Sequence, residues 1–410
     1  MWQQVSCNYC GIKKIVSAKC VERIIKNVML RDDEGAHTTI TARFFCDASD
    51  TGALLKHAGL AYRLGKESRH EFNEPDAPLE ANVLDQQPVT YVLAVKKLAS
   101  VAPTTVAPPD GYAKWRDYSV PHYGCRQFSL SMPGEGIGHV VSLPLFGEGQ
   151  TLDWWRYRRI VSHRNWRDER ADVSLINWAQ NDYARVPLLD GDMPEADVID
   201  NAKKLSACFL YWLQHDAPHE DGTGKGYPNL VLDTDELGTS DGFAQQVYVR
   251  ESRRIVGATT LTQGDIISHD NLHAPFNHPQ SVGVAWYNMD IHPTCVSGHG
   301  VNAKVRPFTL PLGIFVPRDC DNLIPACKNI SVTHLVNAAT RVHPIEWLIG
   351  EVASLLALYS IANDVLPIDI VNSDNHVRQF QAVLTNAGIP IHWNAALIAK
   401  LNEKSNGANT

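Results

Sequence analysis

The sequence predicts an α/β protein with α+β elements and a β-rich domain inserted in the chain, and three stretches predict it. Thr38 to Ala58 is a β-rich run, an acidic turn and the start of a helix. Phe308 to Asn363 holds two extended apolar runs, a polar loop and one long apolar helix. The region between is irregular, rich in Pro, Gly and aromatics, with short β-rich pieces that read as a sheet-based insertion.

Composition bounds the reading. At 410 residues and 44% apolar content the chain can bury a sizeable core, and its length suggests two or three domains. A net charge of −8, a pI near 6.1 and no basic stripe argue against nucleic acid as the main partner. Nine cysteines at scattered spacings form no disulfide framework, and no secretory leader is evident, so a reducing, cytoplasmic setting is expected. The single CxxC, Cys7 and Cys10, has no second pair and reads as two unrelated cysteines. Nothing in the sequence sets an oligomeric state.

In chain order, Lys14–Val21, Ile24–Leu30 and Thr38–Phe45 alternate around the DDEG turn at Asp32–Gly35, which predicts a hairpin or small meander. Asp47, Ala48, Ser49, Asp50 and Gly52 then form a tight turn ahead of a helix from about Ala53, an arrangement in which α/β proteins place ligands. The charged run from Leu60 to Glu74 reads as a solvated surface. Val89 to Ala99 reads as a strand, residues 100–124 as a Pro-rich loop, and Leu175–Tyr183 (LINWAQNDY) as a polar and aromatic cluster. Asp197–His215 is an amphipathic helix with Leu205, Phe209, Trp212 and Leu213 on its apolar side. Gly222–Gly226 lacks the lysine and hydroxyl of a phosphate loop. Gln245–Gly257 reads as one strong strand.

His269, His273, His278, His292 and His299 follow, interleaved with Asp265, Asp270 and Asp290, but their spacing matches no metal motif and no metal site is expected. The DIHP run from Asp290 to Pro293 reads better as polar groups lining a substrate cavity. Thr309–Val316 and Leu323–Cys327 read as strands joined by a turn, followed by a polar loop holding His334, Asn337, Thr340, Arg341 and His343. Pro344 and Glu346 then mark a helix start, with the helix running to about Ala362. Interrupted by Gly350 and Glu351, it is a poor membrane span, and no membrane partner is expected. Its N-terminus offers backbone N–H groups to an electron-rich ligand edge or a phosphate. Residues 374–402 read as a helix, a turn and a final helix without chemistry, before a polar tail.

Four stretches together resemble the FAD-dependent oxidoreductases of the glutathione-reductase-like flavoprotein group: ARFFCDASDTGALLKHAGLAYRLGKESRHEFNEP, INWAQNDY, YVRESRRIVGATTLTQGDI, and PLGIFVPRDCDNLIPACKNISVTHLVNAATRVHPIEWLIGEVASLLALY. The resemblance covers roughly residues 12–395. It implies a discontinuous FAD/NAD(P)-binding-like domain (1–75 and 306–370), an inserted β-rich substrate domain (76–305) and a helical cap (371–410). It implies FAD as cofactor, held by Asp47, Ala48, Ser49 and Asp50, by Ala326 and Cys327, and by Ile349, Gly350 and Glu351 at the flavin's pyrimidine edge. The family has glycine where Cys327 and where Ser49 or Asp50 stand. The GxGxxG strand–turn–helix with which the family begins occurs nowhere in this sequence, so the expectation is a fragment or a shortened relative that holds FAD less tightly.

The leading expectation is a flavin enzyme that oxidises a small organic substrate by hydride transfer, with His292, Asn337, Arg341 and His343 as candidate catalytic groups. His343 also suits a helix cap, and Arg341 an ion pair with Glu346. One alternative is an inactive remnant that serves as a binding protein. Another is a carbohydrate-active protein, from sugar stacking on Trp154, Trp155, Trp166, Trp178 and Trp212; aromatic cores explain those residues more simply.

Overall fold

The structure is a computed structural model that describes residues 13–99, 106–134, 138–149, 152–267 and 274–400. The chain forms two compact units: Met1–Ala81 with Glu251–Met289 and Lys304–Thr410, and Asn82–Arg250 with Asp290–Ala303. Glu251–Met289, assigned from sequence to the insertion, belongs to the first unit, because Arg254–Ile255 pairs with Tyr62–Arg63 and Ser281–Ala285 pairs with Phe308–Pro311. The helix Asp374–Asn386 also packs within the first unit and is no separate cap.

In the first unit, β1 (Lys13–Val21) and β2 (Ile24–Asp32) form a hairpin whose turn residues Glu22 and Arg23 both have positive φ, 50° and 66°. That two-residue geometry matches strand twist and favours glycine. Arg23 is held there by Asp321, whose carboxylate accepts from its Nε at 2.9 Å. β3 (His37–Ile40) extends the meander. The expected third strand breaks after Ile40; β4 (Phe45–Asp47) instead runs parallel to β5 (Leu323–Pro325), with Phe45 opposite Leu323 and Asp47 opposite Pro325. Leu323 packs there with Ile25, Leu54, Leu55 and Cys320, and Phe45 lies against them. After β4 comes α1 (Ala53–His57); after β5 come α2 (His334–Thr340) and α3 (His343–Asn363).

Two polar runs turn out to be interior, the one over 60–74 only in part: Lys66, Glu67 and Glu74 are buried, while Arg69, His70 and Glu71 are exposed as expected. Residues of α2, read as a loop, are all buried. Thr333 caps the helix, and its Oγ1 also donates to Glu74 at 2.7 Å. Glu67, read as part of a solvated face, accepts from the backbone N and Nδ1 of His334 (2.8 and 2.7 Å) and pairs with fully buried Arg254 at 2.8 Å. Arg254 also pairs with Glu251 at 3.0 Å. Burial pushes the Glu67 carboxyl up, but Arg254 and His334 outweigh it and hold its pKa well below the usual range. The run Thr309–Val316 is a strand only to Pro311; residues 312–315 form a 3-10 turn.

The second unit is built on a four-stranded antiparallel sheet in the order Arg159–Val161, Asp172–Ile176, Leu93–Lys97, Leu230–Leu232. A three-stranded sheet joins Asp182–Tyr183, Val89–Thr90 and Tyr248–Val249. The single strand expected over 89–99 is therefore two, one in each sheet. The strand expected over 245–257 also splits, into Tyr248–Val249 here and Arg254–Ile255 in the first unit. Arg250 and Arg254 explain the break: each is buried in its own unit against its own carboxylates. Helix Glu195–His215 buries Leu205, Phe209, Trp212 and Leu213. Trp154, Trp155 and Trp178 are interior as well, with Trp154 and Trp178 centroids 5.1 Å apart. These rings are core, as their size favours; only Trp166 of the five is exposed, beneath the Arg170 guanidinium.

Candidate functional site

The acidic turn after β4 is a self-satisfied cap. Asp47 Oδ1 accepts from Ser49 N and Oγ (3.0 and 2.6 Å), and Ser49 Oγ accepts from Ala53 N at 2.8 Å, starting α1. Gly52 has φ 60°, and a Cβ there would lie 2.5 Å from Arg253 O, so the turn approaches that backbone as only glycine permits. Burial raises the Asp47 pKa against those hydrogen bonds, and its Oδ2 has no hydrogen-bond partner.

Across the sheet end, Lys328 follows Cys327 and is nearly fully buried. Its Nζ lies 2.5 Å from Asp50, 3.3 Å from Glu346 of α3 and 3.7 Å from Cys327 Sγ. Burial opposes its charge, but Glu346, Cys327 and Asp50 more than compensate and raise its pKa. Burial likewise raises the Cys327 thiol. A cavity of about 600 Å³ opens at this end of the two strands, lined by Ala48, Ala326, Glu346, Trp347, Gly350 and Glu351 among others. It lies beyond the carboxyl ends of parallel strands, where open α/β sheets bind ligands.

The second unit carries its own cavity, about 290 Å³, with Trp115, Tyr118, Gln127, Asp182, Arg185 and Cys295 in its wall. Asp182 is buried, pairs with Arg250 at 2.9 Å and accepts from Thr90 Oγ1. Its other oxygen lies 2.5 Å from His292 Nδ1, while Asp290 lies 3.5 Å from His292 Nε2. Burial and the Arg250 charge work against an imidazolium at His292; Asp182 and Asp290 outweigh them, so its pKa is raised. The same partners hold Asp182 below the carboxylate range in spite of its burial.

Of the four candidate catalytic residues, His292 lies in the second unit and Asn337, Arg341 and His343 in the first. Asn337 is buried in α2, donating to Lys328 O at 3.3 Å, and Arg341 is buried at the end of that helix. Glu346 lies 3.3 Å from Lys328 Nζ. His343 is the exposed first residue of α3 and makes no cap; Val342 holds that position. Among the candidate cofactor residues, Ala48, Ala326, Gly350 and Glu351 line the first cavity, whereas Ile349 is fully buried and is not part of its wall. Sequence reasoning missed Asp182, Arg250 and Lys328. INWAQNDY contained Asp182 without a role, and nothing local pointed to its pairing with His292. In the His-rich segment, His278 Nδ1 accepts from Gln280 N and His299 sits edge-on to His122; His269, Asp270 and His273 lie outside the described residues. Among the described residues no three metal-type ligands converge.

The family model described as FAD dependent oxidoreductase matches residues 7–384, and the chain belongs to that family. No curated protein and no solved structure matches it. FAD is the cofactor this family implies. The first cavity offers room for a planar ring at the strand ends, but its charged wall residues are Glu346 and Glu351. A diphosphate needs cations or free backbone N–H groups. Lys328 is already taken by Asp50 and Glu346, and the N–H groups of Ile345 and Glu346 in the first turn of α3 donate to Val342 O. The residues lining this cavity therefore suit the ring half of FAD and not its diphosphate half.

Proposed function

We propose that this chain is an oxidoreductase that oxidises a small organic substrate, with FAD as hydride acceptor, and that the second unit binds the substrate. The observation that carries the substrate side is Asp182, which lines a cavity sized for a small molecule and holds His292 Nδ1 at 2.5 Å. Asp182 fixes the proton on Nδ1, and Nε2, with Asp290 3.5 Å away, is the atom that exchanges protons with a substrate hydroxyl or amine. Arg250 keeps Asp182 ionised, which keeps His292 oriented. Trp115 and Tyr118 supply apolar walls, and Arg185, stacked at 4.8 Å over Tyr118, supplies a positive rim.

The test supplies FAD in excess under anaerobic conditions and follows bleaching of the flavin's visible band with a panel of small alcohols, amines and hydroxy acids. A substrate should bleach it, and His292→Asn should slow bleaching by about 10²–10⁴-fold, the usual worth of a general base. Because the base form of His292 must be neutral, the wild-type rate should rise with pH beyond the ordinary histidine range. Bleaching by no member of the panel, or at an unchanged rate in His292→Asn, refutes the proposal.

A further inference from the structure

The mismatch between the family's dinucleotide and the first cavity's charges points to a specific ligand preference. We infer that the cavity at the ends of β4 and β5 takes an uncharged flavin ring, as in riboflavin, in preference to flavins that carry phosphate. This rests on the flavin reading above.

Three features select such a ligand. The floor is flat and small-sided: Ala48, Ala326 and Gly350 line it, and a Cβ at Gly350 would lie 3.7 Å from Ala326 O, so α3 passes close to the end of β5. Trp347 stands 74% exposed at the rim, a large ring surface free to stack on a planar ligand. The charged groups of the wall, Glu346 and Glu351, are acceptors. Glu346 Oε1 is buried and, although Lys328 Nζ lies 3.3 Å away, it receives no hydrogen bond. Such an oxygen calls for an N–H donor, and the imide N–H of an isoalloxazine is one.

The charge count decides against phosphate. Glu346, Glu351 and Asp50 bring three carboxylates to this end of the strands against one ammonium, Lys328, which is already bonded to one of them and close to another. A phosphate or diphosphate would add like charge where none of the described lining residues is a cation, and its cost would be strongest at low salt.

Isothermal titration of the purified chain with riboflavin, FMN and FAD, at low and at high salt, tests this. Riboflavin should bind at least about ten-fold tighter than FMN or FAD at low salt, and the gap should shrink at high salt. Glu351→Gln, an exposed position, and Glu346→Gln should narrow the gap by strengthening FMN and FAD binding. The wild-type salt dependence reads the same effect should Glu346→Gln fail to fold. FAD binding as tightly as riboflavin in the wild type overturns the inference and leaves the flavin reading standing. Binding of none of the three overturns both.

Discussion

Replacing Asp182 with Asn tests the second-unit cluster by removing one charge at constant volume. Asp182 is the carboxylate partner of Arg250, whose side chain is 3% exposed, and it holds His292 Nδ1 at 2.5 Å. Breaking a buried ion pair costs about 3–5 kcal/mol. Arg250 keeps two other acceptors, Pro88 O at 3.1 Å and Thr90 Oγ1 at 2.7 Å, so the lower end, about 3 kcal/mol, is expected. A second loss depends on pH. The His292 pKa is raised in the folded chain, so its contribution to stability is full below the unfolded value near ~6.5 and disappears as pH rises through the folded value. In Asp182→Asn, burial and Arg250 still oppose the imidazolium while the stronger carboxylate is gone, so the pKa falls. Each unit of that fall is worth about 1.4 kcal/mol. Chemical denaturation at several pH values should therefore show the widest gap between the two proteins below about pH 6.5, narrowing as pH rises. NMR titration of the His292 ring should report the fall directly. An equal cost at all pH values, or an unmoved His292 titration, would refute the reasoning.

Other perturbations follow from the same geometry. Arg254→Met should cost about 3–5 kcal/mol at neutral pH, because it strands Glu67 and Glu251 in the interior. Because the Glu67 pKa is depressed, the ion pair's stabilisation is present above the unfolded value near ~4.3 and fades as pH falls below it, so acid unfolding should shrink the difference. Gly52→Ala should lower the thermal midpoint and cost roughly 1–3 kcal/mol, from the positive φ and the 2.5 Å approach to Arg253 O. Trp347→Ser should leave the unfolding free energy from urea denaturation within about 0.5 kcal/mol of wild type, since that ring is 74% exposed, while weakening riboflavin binding.

The sequence by itself determined the local pieces: the hairpin before Asp32, the acidic turn with Gly52, the long helix opened by Pro344, and the family. These rest on turn chemistry, periodicity and helix-start signals confined to a few neighbouring residues. It misplaced whatever depended on distant partners. His334 and the cap residue Thr333 looked like parts of a loop because Glu67 and Glu74, which satisfy them, lie far away in the chain. One apparent strand over 245–257 became two because Arg250 and Arg254 answer to carboxylates in different units. Asp182 and His292, 110 residues apart, meet only in the folded chain, with Nδ1 2.5 Å from the carboxylate. Hydrophobic periodicity reports which face of an element is buried; which charge meets which is decided by tertiary packing, since a buried ion needs a partner from wherever the fold supplies one.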